Sequence, residues 1–355
     1  MNEFERRCEL LSTAFGLKGT EDFVLIKEEG KKNYGLLFST YIQMIEQDQN
    51  NFFIDGTKKK KIIDSLKNTL SLSQTDSIRE FTKQLNNLKT DDPHSFILLP
   101  ASHEIDTESH SSGVIIYKNK QKDYLVAIID KYRTPFVAYR TISKSKSMNI
   151  GSIFLEAREH FFEKDYRWIL TKLDDLSNEK EKEIVTELNL TMQKLYVGNC
   201  SVKNIEAALK VALFNCRKNI FDLSQEPDSL TPKWHPDPGS TLEMRKRFLN
   251  AIKVPRHPEW NQGFEKIFEH YHARKMVTMQ DLKQQTNSKW AFVKKNKFPK
   301  KIALAEKHAE IFADDKSFQS LKNNLTKQMQ ERSTANSPEN KNTWRLAKES
   351  RCHIL

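Results

Sequence analysis

Apolar positions recur at helical spacing over most of this chain and at strand spacing over one stretch only. Phe4, Cys8, Leu11 and Phe15 mark one helix face near the start; Ile62, Leu66 and Leu70 mark a second, and Ile78, Phe81, Leu85 and Leu88 a third. Asp76 is placed to cap the third. Residues 34–45 give a further helix, and Phe23 to Ile26 reads as a short strand. At Asp92 and Pro93 the pattern changes. Phe96–Leu99, Gly113–Tyr117, Tyr124–Ile129 and Phe136–Tyr139 are short runs rich in β-branched and aromatic residues, which predicts a sheet of at least three strands. The second and third are joined by the polar residues 118–123, a connection of hairpin length. The third is almost continuously apolar, as in a strand covered on both faces.

Helical spacing returns from Ser152 to about Leu195, through Phe154, Phe161, Phe162, Trp168, Ile169 and Leu173. A helix then opens at Cys200. Asn199 is a favoured cap, Gly198 permits a sharp turn before it, and Ile205, Leu209 and Ala212 form its apolar face. After a proline-rich connection (Pro227, Pro232, Pro236, Pro238), Ser240 to Glu243 forms a capping-box pattern for a helix through Ile252. Trp260, Phe264, Ile267, Phe268 and Tyr271 form an amphipathic stripe of the kind that faces a core or a partner. Further helices are expected over about 301–312 and 318–329, and residues 333–344 read as a polar linker.

These patterns predict an α+β fold: a small mixed sheet packed against helices, flanked by helical N- and C-terminal regions. The expected units are 1–92 (helical), 93–224 (the α+β core), 225–332 (helical) and 333–355 (a flexible tail). With 355 residues and 37% hydrophobic content there is ample chain for a core. Four cysteines, none in a CxxC pair, argue against a disulfide scaffold or a zinc finger. No segment is long and apolar enough to span a membrane, and no secretory leader is evident. The net charge of +11 implies attraction to anionic partners. Lysine runs at 58–61 and 294–301 come without any nucleic-acid recognition motif and fit solvated helix faces better, so no specific nucleic acid is expected. His270 and His272 lack further ligands at metal spacing, and neither a metal nor a cofactor is implied.

The chemistry concentrates on Cys200. A thiol at a helix start faces unpaired backbone N–H groups, and their partial positive charge favours the thiolate. A thiol nucleophile needs a base, a group to orient that base, and donors for an oxyanion. His110 stands before the strand run at Gly113, Asp130 closes the next long run, and Gln193 precedes Cys200 by a short loop. His103, Asp106 and Asp123 are alternative holders of the His and Asp roles. A papain-like order, with Cys200 followed by His235 or His257, lacks downstream β-structure to carry the histidine.

The order His110, Asp130, Gln193, Cys200 resembles the ubiquitin-like-protein-specific cysteine protease clan. That clan includes the SUMO-protease and adenovirus-protease-like families and bacterial effector deubiquitinases and acetyltransferases. The resemblance covers about residues 96–213. It implies a cysteine-protease-like core with His110 as base, Asp130 as its orienting carboxylate, Cys200 as nucleophile and Gln193 in the oxyanion hole. The chain departs from the clan in having Ser111 after the histidine and Asn199 and Ser201 around the cysteine.

Cys352-His353-Ile354-Leu355 fits a C-a-a-X prenylation box of the geranylgeranyl type, with Lys341, Arg345, Lys348 and Arg351 upstream. A prenylated Cys352 implies a eukaryotic cytosol and a host prenyltransferase, and an anionic membrane surface as the tail's partner. Together these readings give an expectation: a bacterial effector secreted into the host cytosol and anchored to the cytosolic face of a host membrane. It would cleave ubiquitin or ubiquitin-like conjugates on host proteins. The alternatives are an acetyltransferase of the same clan and a non-catalytic prenylated adaptor that binds a host protein through its helical region.

Overall fold

In the computed structural model the described residues are 1–17, 23, 25, 27–105, 108–130, 137–159, 168–177, 200–218, 232–289 and 315–335. Four helices come first: α1 (Glu3–Ala14), α2 (Lys27–Glu46), α3 (Gly56–Gln74) and α4 (Ile78–Asn87). Each cap has a local cause. Asn2 and Glu5 form a reciprocal capping box at α1, and Asp55 accepts the Thr57 N–H at α3. The cap of α4 is Ser77 rather than the expected Asp76. Asp76 is taken instead by Lys31 and Arg158, and those two cations hold its carboxyl below the usual range: the Lys31 hydrogen bond contributes most, against a small cost of burial. Of the run 23–26 only Phe23 and Leu25 are described; both are buried, and neither is in a strand.

The sheet follows as β1 (Ile97–Ile105), β2 (Glu108–Lys118), β3 (Tyr124–Ile129) and β4 (Val137–Ile142). It is a four-stranded meander in the order β1-β2-β3-β4, antiparallel throughout. The expected mixed sheet is therefore corrected. The connections between these strands are too short for the crossover that a parallel pair requires. The first two strands also outrun their apolar cores: β2 begins at Glu108, so His110 lies inside the strand, paired with His103, and not ahead of it. Among the described residues β2 pairs with β3 from Gly113 onward, so the β1–β2 ribbon runs several residues past the described end of β3.

Both faces of the sheet are covered. Alternate residues such as Ile115, Tyr117, Ala127 and Ile129 join an apolar cluster with α7 (Cys200–Asn215). The other set, including Val114, Ile116, Val126 and Ile128, packs with α4, α5 (Ser147–Glu159) and α6 (Trp168–Leu176). The result is three layers, helix on sheet on helix. The open edge of β1 is closed by side chains: the Leu98 N–H donates to Thr69 Oγ1 at 3.0 Å, its carbonyl accepts from the Tyr34 hydroxyl at 2.6 Å, and the Phe96 N–H donates to Ser65 Oγ at 3.2 Å. Pro100 is tolerated on this strand because it is an edge.

The remaining helices are α8 (Ser240–Ile252), α9 (Pro258–Lys289) and α10 (Asp315–Ala335). The expected capping box of α8 does not form. Gly239 is the cap, with φ 80°, and no side chain bonds to the helix start. The aromatic stripe of α9 is spent inside the protein. Phe264, Ile267 and Tyr271 are buried, Phe4 meets Trp260 and Phe264 at 5.6 and 5.7 Å between ring centroids, and Phe15 stacks on Tyr271 at 4.9 Å. The α7-side cluster runs from Phe4 to Leu325, so N-terminal helices, sheet and C-terminal helices share one core. The expected helix over 301–312, the linker at 333–344 and the tail lie outside the described residues, apart from the first few linker positions, which extend α10.

Candidate functional site

Helix α7 is the buried axis of the molecule. Ser201 to Leu209 are all buried, polar residues included, and each polar one has a reason to be there. Ser201 Oγ donates to the Phe23 carbonyl at 3.1 Å, and Lys203 Nζ donates to the Ala14 carbonyl at 2.7 Å. The Glu206 carboxylate pairs with Arg245 of α8 through two contacts, the longer at 2.8 Å. A buried carboxylate opposite a buried guanidinium, with Lys203 Nζ a further 3.9 Å contact of the carboxylate, fixes the rotation of α7 about its own axis, because removing the carboxylate would leave buried charge uncompensated.

The position of α7 on the sheet is set by Asn204 and Gly113. Asn204 Nδ2 donates to the Ser111 carbonyl at 2.6 Å. A Cβ on Gly113 would lie 2.5 Å from the Asn204 carbonyl oxygen and 2.7 Å from Ala208 Cβ, so only glycine lets the helix come this close. At the far end the Asn215 side chain hydrogen-bonds Tyr117. Asn204 with Ser111, Ala208 with Gly113 and Asn215 with Tyr117 together mean that α7 and β2 run in the same direction.

That shared direction decides where the sequence-predicted residues fall. Cys200 is the first residue of α7, one turn ahead of Asn204, and His110 directly precedes Ser111. The backbone therefore brings the helix start and the His110 position of β2 to the same end of the sheet. For Cys200, His110 and the alternative His103 only the backbone is described, while Gln193 and the alternative Asp106 lie outside the described residues altogether. Asp130, one residue beyond the end of β3, is half-buried and accepts from Ser112 Oγ at 3.3 Å. The other alternative, Asp123, sits at the opposite end of β2 and accepts the Lys144 N–H at 3.1 Å.

Alternation adds a constraint. Gly113 turns toward α7, so Ser112 and the carboxylate it holds belong to the other face. A pairing of Asp130 with His110 serves Cys200 only around the end of the sheet at which the β1–β2 ribbon runs past the described end of β3.

Two other cysteines, Cys8 and Cys216, have described side chains. Cys8 is buried in α1, and burial drives its pKa far above the ordinary thiol range. Cys216 follows α7 and donates to the Pro93 carbonyl at 3.3 Å; burial, aided by Asp92 and opposed by Arg217, pushes it up to about 12. Both are protonated at neutral pH and unsuited to attack. Cys352 lies outside the described residues. Among the described residues no group of three or more His, Cys, Asp and Glu side chains is arranged to hold a metal ion.

Sequence reasoning missed Asn204, Gly113 and Ser112. Two of them left a signal: a glycine inside a strand run marks a close backbone approach, and an asparagine four residues into an apolar helix face calls for a buried partner. Comparison with protein-family models, with curated proteins and with solved structures finds no match to this chain.

Proposed function

We propose that the chain is a cysteine-protease-like effector enzyme with Cys200 as nucleophile, His110 as its base, Asp130 orienting the imidazole and Gln193 completing an oxyanion hole with the Cys200 backbone N–H. The observation that supports this reading is the parallel course of α7 and β2, clamped by Asn204 on Ser111 and by the glycine contact at Gly113. It carries the cysteine and the histidine to one end of the sheet, at the helix terminus that favours a thiolate.

The reaction is hydrolysis of an amide or isopeptide bond in a ubiquitin or ubiquitin-like conjugate. The thiolate forms an S–C bond to the carbonyl, the C–N bond breaks as the imidazolium gives its proton to the leaving amine, and water, deprotonated by the same imidazole, releases the acid. Incubation with a panel of ubiquitin-like suicide probes tests this, with Cys200→Ala as control. Labelling of the wild type alone is expected. Absence of labelling together with Cys200-dependent turnover of acetyl-CoA would move the protein to the acetyltransferase branch, and absence of both would end the enzymatic reading. Geranylgeranylation of Cys352 is the second part of the proposal. Absence of a geranylgeranyl mass increment on Cys352 after incubation with a geranylgeranyltransferase and geranylgeranyl diphosphate would refute a lipid anchor there, though not the chemistry at Cys200.

A further inference from the structure

The end of β2 remote from His110 carries a different chemistry. Lys118 closes β2, Lys120 and Lys122 stand on the β2–β3 hairpin, and Lys144 and Lys146 form the short 3-10 turn after β4. The Lys144 N–H donates to Asp123 Oδ1 at 3.1 Å, which draws that turn against the hairpin. Lys118 is pulled below the ordinary lysine value, first by burial and then by the charges of Lys122 and Lys144, so these cations are close enough to repel one another.

Among the described residues Asp123 and Asp91 are the carboxylates that meet this group, against five lysines. Lys118 Nζ and Lys146 Nζ donate to the main-chain carbonyls of Asn86 and Leu176, at 2.9 and 2.8 Å. Asp91 reaches Lys120 at 3.7 Å, an exposed pair that solvent screens. Beside the lysines, at the start of α5, Met148 is 61% exposed, the most exposed of the large hydrophobic residues among those described. Exposed cations around an exposed flexible apolar side chain match the surface of a phospholipid leaflet, which offers anionic headgroups and hydrocarbon beneath them. An acidic polypeptide would use the charges and leave the methionine without a role.

We propose that this end of the sheet docks on an anionic phospholipid leaflet, with Lys120, Lys122 and Lys144 as the headgroup contacts and Met148 as the inserted group. The surface lies roughly 25 Å along β2 from His110, so docking leaves the candidate site directed away from the lipid. That last consequence rests on the reading of Cys200; the docking itself does not.

The test uses the full-length chain carrying Cys352→Ser, which removes any lipid, and sedimentation with phosphatidylcholine vesicles with and without phosphatidylserine. The protein is expected to sediment with the phosphatidylserine vesicles only, and to be released by salt. The triple variant K120Q/K122Q/K144Q should partition roughly 100-fold more weakly, and Met148→Ala several-fold more weakly. Unchanged urea midpoints in both variants would show that folding is intact. Equal partition of the triple variant and its parent would overturn the proposal, as would failure of the parent to bind anionic vesicles. Lysine-dependent binding to polyglutamate without vesicle binding would assign the surface to an acidic polypeptide instead.

Discussion

Cys200 and Cys216 stand at the two ends of one helix, and their circumstances are opposite. Cys200 opens α7, where backbone N–H groups point outward and the His110 segment of β2 arrives alongside. Cys216 follows the last turn, where the helix dipole is negative, the thiol is partly buried, and its S–H donates to the Pro93 carbonyl. The same residue type, carried on the same element, thus opens the helix at one end and is held by burial and the Pro93 carbonyl at the other. For Cys216 burial is the main cause.

The sharpest way to break this contrast is to exchange the thiols for alanine. Cys200→Ala should lower probe labelling or conjugate cleavage by at least about 10,000-fold, the scale on which removal of a nucleophile acts. Cys216→Ala should stay within about twofold of the wild type. Equal losses in the two variants would mean that both cysteines serve the fold alone.

Next in size is the ion pair that holds the middle of α7. Glu206→Ala strands Arg245 without its carboxylate in the core and should cost about 3–5 kcal/mol in urea unfolding. Replacing both partners by apolar residues of similar volume, Glu206→Leu with Arg245→Met, should recover only part of that loss, because buried Lys203 also loses its carboxylate, 3.9 Å away. Because the pair sits between the two cysteines, the single variant should loosen both ends alike, and raise the reactivity of Cys216 toward alkylating agents along with its unfolding. A variant that unfolds readily while Cys216 stays as protected as in the wild type would show that the pair does not hold that end.

Gly113 addresses the Cys200 end by itself. Gly113→Val forces a side chain into the Asn204 carbonyl and should cost about 3 kcal/mol. Activity should fall more than the remaining folded fraction explains, since the helix start is displaced from β2. Gly151→Ala is the control: its Cβ would meet Phe81 at 3.4 Å, ordinary contact inside a helix, and the change should be neutral or slightly stabilising.

How far the sequence revealed this arrangement depends on whether the determinant is local. The four strand runs, the α7 face and most helices were legible because each repeats an apolar period within its own span. The extensions of β1 and β2 were not. Residues 102–104 and 108–112 are polar and alternate poorly, and among the described residues no third strand pairs with this part of the ribbon to pattern it. The stripe of α9 could be read as a stripe, yet its partner is α1, more than two hundred residues earlier, and nothing near Trp260 names Phe4. The candidate site divides in the same way: Cys200 at a helix start is a local fact, whereas its approach to the His110 segment is created by Asn204 and Gly113 across the interface.

The smallest effect concerns the Cys216 end and is read from pH. A thiol whose pKa is raised by folding keeps its proton in the native chain after the unfolded chain has released it. Between the ordinary value of 9.0 and about 12 the native state therefore binds more protons, and stability, fully present below that window, falls as pH rises through it. Tyr117, raised first by burial and then by the Cys216 charge, titrates later, and that coupling is absent while Cys216 keeps its proton in the native chain. The difference in slope thus isolates the thiol. From roughly pH 9 to roughly pH 10 the wild type should lose up to about 1.4 kcal/mol more unfolding free energy than Cys216→Ala. Parallel slopes would mean that Cys216 ionises in the native chain as freely as in the unfolded one, and the two ends of α7 would then no longer differ in the way their surroundings imply.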